Sequence, residues 1–180
     1  MGAYGQSDVS PNTLGSVTFP RGIVPSGTLI HSSSGLSSLS WLQGGSANAG
    51  KPAGADYLIA RNGSRYKITG EGLAAYHAGA SIAYINGRRF TNDMVSAALI
   101  GVELEQYQEQ QITYEQFDSL AELIVQLSDV FSWRWPYTIL GHYEVARPIG
   151  RRSDPVNFPW GDFVGRLYSH AKGAGVPGLE

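Results

Sequence analysis

The stretch Leu99-Ile100-Gly101-Val102-Glu103-Leu104-Glu105 constrains this 180-residue chain more tightly than any other. It alternates with the period of a β-strand, so Ile100, Val102 and Leu104 share one face while Glu103 and Glu105 share the other. A strand this apolar belongs in a core, and a carboxylate on it asks for a partner. A helix follows. Thr113 with Gln116 three positions on makes a capping box, and Phe117, Leu120, Ala121, Ile124 and Leu127 run down one side after it. Tyr137 to Leu140 reads as the next strand, and Trp160 to Lys172 as a closing helix that buries Phe163, Val164 and Leu167.

Earlier in the chain, Ala55 to Arg61, then Asn62-Gly63, then Ser64 to Ile68 reads as a hairpin, with Asn-Gly suited to the positive φ angles of a type I′ turn. Asn86-Gly87 marks another turn, ahead of the basic pair Arg88-Arg89. Leu36, Leu39 and Leu42, spaced three apart beside Trp41, predict a short helix over Gly35 to Gln43, and the Gly- and Ser-rich run after it is a loop. Strands alternating with helices, plus a hairpin, predict an α/β fold with a central mixed β-sheet flanked by helices. Residues 1–16 are polar and contain Pro11, which predicts a flexible arm or linker; the domain then spans 17–172, and 173–180 is a linker-like tail.

One domain of this length can bury a core without staples. A net charge of −2 and no Lys/Arg block exclude an electrostatic footprint for nucleic acid or a membrane surface. No apolar run approaches the roughly 18 residues that would span a bilayer, and the N-terminus lacks the basic start and apolar segment of a secretory signal. The absence of cysteine removes disulfides, thiolate ligands and a cysteine nucleophile together, so any zinc site must be built from His and carboxylate. Ser32, Ser33 and Ser34 lack the Gly-x-Ser-x-Gly elbow of a serine hydrolase.

Three residues are candidates for such a site. His142 comes straight off the apolar run Tyr137-Thr138-Ile139-Leu140, Asp154 precedes Pro155 after an irregular loop, and His31 ends the apolar run Thr28-Leu29-Ile30. Taken singly each has a more ordinary reading, as a capping or core histidine or as the turn residue that Asp-Pro usually signifies. As a set, two His and one carboxylate suit a catalytic zinc, which keeps a fourth position open.

Five motifs in order carry a resemblance over roughly residues 25 to 170. They are Leu29-Ile30-His31-Ser32-Ser33, Ala55-Asp56-Tyr57-Leu58-Ile59 with Arg61-Asn62-Gly63, Ala75-Tyr76-His77-Ala78-Gly79, Ile100-Gly101-Val102-Glu103, and Gly141-His142 with Arg152-Ser153-Asp154-Pro155. Together they resemble the zinc-dependent N-acetylmuramoyl-L-alanine amidases of the second amidase family, relatives of the peptidoglycan recognition proteins. The resemblance implies that family's fold and one zinc on His31, His142 and Asp154. The implied reaction is hydrolysis of the amide between N-acetylmuramic acid and L-alanine in peptidoglycan. Glu103 becomes the general base, with Glu105 its rival. Arg152 holds the developing oxyanion or is a solvated loop cation, and His77 touches the glycan or the stem peptide or is a loop histidine with no ligand role. His170 is structural; Trp41, Trp133 and Tyr76 could form sugar-stacking walls, but aromatic side chains are more often core and these are left out of the site.

The sequence departs from the family pattern at four places. Asp56 stands where a histidine is common, Tyr76 where a tryptophan is usual and Arg152 where a lysine is frequent, and Ala55 leaves unfilled a tyrosine position that some members use. The expected role is a monomeric phage endolysin or bacterial wall-lytic enzyme acting on the cell wall in the periplasm or outside the cell. A phage enzyme would need separate release, and either end could join a wall-binding domain. The alternatives are a peptidoglycan-binding module without catalysis and a zinc peptidase that cuts within the stem peptide.

Overall fold

The computed structural model describes residues 6–12, 17–33, 35, 38–45, 48, 50, 53–70, 72–107, 110–177 and 179. Among them, six strands build the main sheet, labelled in chain order. Their spatial order is β1 (Gln6–Asn12), β5 (Arg65–Thr69), β4 (Tyr57–Ile59), β9 (Ile100–Leu104), β3 (Gly27–Ser32) and β10 (Thr138–Gly141). Only β4 and β5 run antiparallel; the other neighbours are parallel, which makes the sheet mixed. Two small antiparallel ribbons accompany it, β2 (Thr18–Pro20) with β6 (Leu73–Ala75) and β7 (Ile82–Ile85) with β8 (Arg88–Thr91). The helices are α1 (Ser38–Ser40), continued by a wider helical turn over Trp41–Gly45, α2 (Asp93–Ala98), α3 (Tyr114–Val130), α4 (His142–Val145) and α5 (Trp160–Gly173).

Period-two alternation divides the central strands between two layers. Ile30, Ile59, Ile100, Val102 and Leu104 face Leu120, Ile124 and Leu127 of α3 and Phe163 and Leu167 of α5. Truncating a fully buried residue here, Leu120 or Ile124, to alanine would cost about 2–5 kcal/mol. On the opposite face, Leu29 packs with Ala83, Ile85, Phe90 and Val95 around the β7–β8 ribbon and α2. That face also carries His31 and Glu103, which are Cα partners in the parallel β3–β9 register. Helix α3 starts as its sequence predicts: the Thr113 side chain accepts from the Gln116 backbone N–H, and the Gln116 side chain accepts in return from the Thr113 N–H at 3.1 Å.

Four expectations need correction. Residues 6–12 are no linker but the edge strand β1, parallel to β5. Edge pairing uses backbone groups, so polar composition does not reveal it. The β4–β5 hairpin does not turn through type I′. Gly63 takes a positive φ of 82° while Asn62 does not; the Gly63 N–H donates to the Ala60 carbonyl, and Ser64 N–H donates to Asn62 Oδ1. The two positive φ angles that a type I′ turn requires occur instead at Asn86 and Gly87, at 51° and 76°, between β7 and β8. Val164 on α5 is exposed, because the inward stripe of that helix is Phe163, Leu167 and Ala171. The expected helix over 35–43 is realised as Ser38–Ser40 and Trp41–Gly45, where Leu39 and Leu42 pack on Leu58 and Ile68; Leu36 lies outside the described residues.

Candidate active site and metal centre

The carboxyl end of β3 delivers His31, the end of β10 delivers His142, and the loop after α4 returns Asp154. The return is held by backbone, since the Tyr143 N–H donates to the Asp154 carbonyl at 3.0 Å. Three acceptor atoms converge. His31 Nδ1 lies 3.0 Å from His142 Nδ1 and 3.4 Å from Asp154 Oδ2, and His142 Nδ1 lies 3.0 Å from the same oxygen. Ligands about 2.0–2.1 Å from a tetrahedral zinc would stand about 3.3 Å apart, so the spacing fits that ion. Among the described residues this is the cluster that could hold a metal.

The chemistry of the donors fits as well. His142 Nε2 lies 3.1 Å from the Ala78 carbonyl, which can only accept; the imidazole proton therefore sits on Nε2, and Nδ1 keeps a lone pair for the site. Burial pushes the His31 imidazole down to about 3, against the hydrogen bond to Asp154, so it is neutral at physiological pH. Burial opposes the charge on Asp154, but the two histidines outweigh it and hold the carboxyl well below the usual carboxylate range. Neutral imidazoles and an ionised carboxylate are the forms that bind a cation.

Beside this triad, Glu103 projects into the same groove. Burial first, then the neighbouring Asp154 charge, push its carboxyl up to about 8, while Arg152 pulls the other way. Glu105 lies past the end of β9 and is not part of the groove lining, whereas Glu103 is. The groove has a volume of about 670 Å³ and is walled by Ser32, Ser33, Trp41 and Tyr76 on the approach and by Arg151 and Arg152 near the triad. Ser33 is committed to structure: its Oγ accepts from the Gln106 N–H and from Ser38 Oγ.

His77, expected to meet the substrate, lines the groove, but its ring nitrogens are turned into the protein. Its side chain is 1% exposed, Nδ1 lies 3.1 Å from His31 Nε2, and Nε2 lies 3.2 Å from the Leu99 carbonyl. Both ring nitrogens are thus engaged inside the protein, by His31 and by the Leu99 carbonyl. The aromatic assignments also change. Tyr76 and Trp41, left out of the site, stand 38% and 41% exposed on the groove rim, Tyr76 resting on Phe19, while Trp133 does pack against the core and donates Nε1–H to the Pro25 carbonyl. His170 is structural as expected, 2.8 Å from Asp118 between α5 and α3.

Two further groups have roles that the sequence did not assign. Arg151 donates to the carbonyls of Ala78, Ala80 and Arg147 and so fixes the loop that orients His142. Asp56 is a buried hub that accepts from Arg21, Thr69, Ala75 and Gly101. Most of their partners, Ala78 and Ala80 for Arg151 and Arg21, Thr69, Ala75 and Gly101 for Asp56, lie far away in the chain.

Residues 21–157 match the family model described as N-acetylmuramoyl-L-alanine amidase, which is well over half of the chain. The chain belongs to the N-acetylmuramoyl-L-alanine amidase family. It is an amidase, and peptidoglycan is the substrate of the family's reaction. Solved structures share the fold. An AmpD derivative superposes with a TM-score of 0.67 at 24% identity, covering 88% of this chain and 92% of its own. The amidase LysC from Clostridium intestinale URNW gives 0.63 at 16% identity, with 93% and 98% covered. The Ph2119 endolysin from a Thermus scotoductus MAT2119 bacteriophage gives 0.59 at 15% identity, with 86% and 92% covered. Among curated protein sequences none matches the chain. No helix among the described residues is long and apolar enough to cross a membrane.

Proposed function

We propose that this amidase is zinc-dependent and hydrolyses the bond between N-acetylmuramic acid and L-alanine, working as a phage endolysin or a bacterial wall-lytic enzyme. The observation that carries the reading is the convergence of His31 Nδ1, His142 Nδ1 and Asp154 Oδ2 within 3.0–3.4 Å of one another, beside the groove carboxylate Glu103. These three atoms would hold the ion. When bound, zinc supplies the positive charge that polarises the amide carbonyl and makes water acidic enough to attack near neutral pH.

The chain's own residues do the rest. Glu103 takes a proton from the attacking water as its oxygen bonds to the carbonyl carbon. It returns that proton to the alanine nitrogen as the C–N bond breaks, leaving a carboxylic acid on the muramic acid side and a free amine on the peptide. Burial makes Glu103 a stronger base by raising its carboxyl above the ordinary range, and positive charge at the triad would favour the ionised form in which the transfer begins. Arg152, which lines the groove near Glu103, would stabilise the negative charge that grows on the carbonyl oxygen. Tyr76 and Trp41 on the rim offer flat apolar faces to sugar rings.

The test is digestion of purified peptidoglycan with and without a zinc chelator, scoring new alanine amino termini and new reducing sugar ends separately. Alanine termini that disappear with chelator and return with zinc support the proposal. Amino termini from other residues would instead identify a peptidase, and binding to the wall without release a recognition module.

A further inference from the structure

The geometry points to His77 as a positioning residue for the metal site. It holds His31 as the Nε2–H tautomer, so that the His31 Nδ1 lone pair faces the ion, and Gly101 provides the seat from which it does so. This inference rests on the zinc reading above and deepens it.

The argument is a proton count along a chain of contacts. A backbone carbonyl only accepts, so the 3.2 Å contact between His77 Nε2 and the Leu99 oxygen places a proton on His77 Nε2. A neutral imidazole has one N–H, which leaves His77 Nδ1 as an acceptor. That acceptor faces His31 Nε2 at 3.1 Å, so the His31 proton must be on Nε2 and its Nδ1 is bare. Reversing the relay would set a lone pair of His77 against the Leu99 carbonyl and its N–H against His31, which would then have to turn its own N–H toward His142 and Asp154. Asp56 Oδ2, 3.8 Å from His77 Nε2, favours the proton on that same nitrogen.

The relay ends on the backbone immediately before β9, and β9 is also what leaves room for it. A Cβ built on Gly101 would come within 2.6 Å of His77 Cγ and Cδ2 and 2.9 Å of Nδ1, so only glycine lets the ring lie on the strand. The Gly101 N–H donates to Asp56 Oδ2 at 2.8 Å, pinning the strand beneath the ring. Partners of this kind fix the orientation of a ligating histidine, and their loss typically costs about 10–100-fold in metal affinity.

The experiment measures zinc affinity by competition with a chromophoric chelator, together with thermal melting of the metal-free proteins. His77→Leu removes the acceptor and should weaken zinc binding about 10–100-fold; His77→Asn can place its carbonyl oxygen where Nδ1 stood and should recover most of the loss. Gly101→Ala, which alters no ligand, should weaken binding by displacing the ring. Imidazole 15N–1H correlations of the metal-free unsubstituted chain should show the proton on Nε2 of both His31 and His77; this reading stands by itself if a variant does not fold. A folded His77→Leu variant within about threefold of the unsubstituted affinity, or a His31 proton on Nδ1, would overturn the proposal. An unsubstituted chain that binds no zinc, or a His31→Ala variant that binds it as well, would instead overturn the zinc reading, and this inference with it.

Discussion

Replacing Asp56 should reveal how much of the fold beneath the active site hangs on one buried carboxylate. Its side chain is 1% exposed and pairs with an Arg21 guanidinium that is 10% exposed, at 2.8 Å. Oδ1 also accepts from Thr69 Oγ1 at 3.1 Å and the Ala75 N–H at 3.2 Å, and Oδ2 from the Gly101 N–H at 2.8 Å. Asp56→Ala leaves the Arg21 charge and three donors without that acceptor. Removing one partner of a buried ion pair costs about 3–5 kcal/mol. The low end of that range is expected here, since Arg21 keeps the carbonyls of Leu73, Ser96 and Ala97. Asp56→Asn retains Oδ1 and its contacts but sets an NH2 against the Gly101 N–H, for about 1–3 kcal/mol. The assay is urea unfolding in chelator, so that metal binding does not enter, reading the midpoint at constant slope. A double-mutant cycle with Arg21→Met completes it. An alanine variant that loses under about 1 kcal/mol, or a coupling below about 0.5 kcal/mol, would refute the claim that these charges act as a unit.

Other outcomes follow from the site. Glu103→Gln should lower turnover of peptidoglycan about 10²–10⁴-fold while leaving zinc affinity nearly unchanged, which separates a proton-transfer group from a ligand. Zinc at about 100 times its Kd should stabilise the fold by about 2.7 kcal/mol, raising Tm by about 5–10 °C for a chain of this size; His31→Ala should abolish the shift. In the metal-free protein His31 should cost stability as pH falls from about 6.5 toward 3. Glu103, raised to about 8, acts oppositely between about 8 and 4.5, so the His31 contribution is read in a Glu103→Gln background. The unfolded His31 takes up a proton near its ordinary value while the folded one resists until about 3, so protonation favours the unfolded chain across that window. Urea midpoints of Glu103→Gln between pH 7 and 4 measure it, and adding His31→Gln should flatten the slope.

Much of this amidase was legible in local pattern. The alternation around Val102, the Thr113–Gln116 box and the apolar stripe of α3 follow from backbone periodicity and from hydrogen bonds between near neighbours, so their sequence signals lie within a few residues. Family motifs brought His31, His142 and Asp154 together as candidates, and the fold does converge them. Other features depend on residues that meet only when the sheet assembles. β1 pairs through backbone groups that polar side chains do not advertise. His77 reads as a loop histidine until β9 supplies Leu99 and Gly101 beneath it and β3 presents His31 beside it. Tyr76 and Trp41 could have been core or groove, since an aromatic side chain suits either and local spacing does not choose. The sequence by itself determined the central strands, the capped helix α3 and which side chains can bind a metal. Tertiary structure decided which nitrogen of each histidine faces the site, because that depends on what the other nitrogen touches.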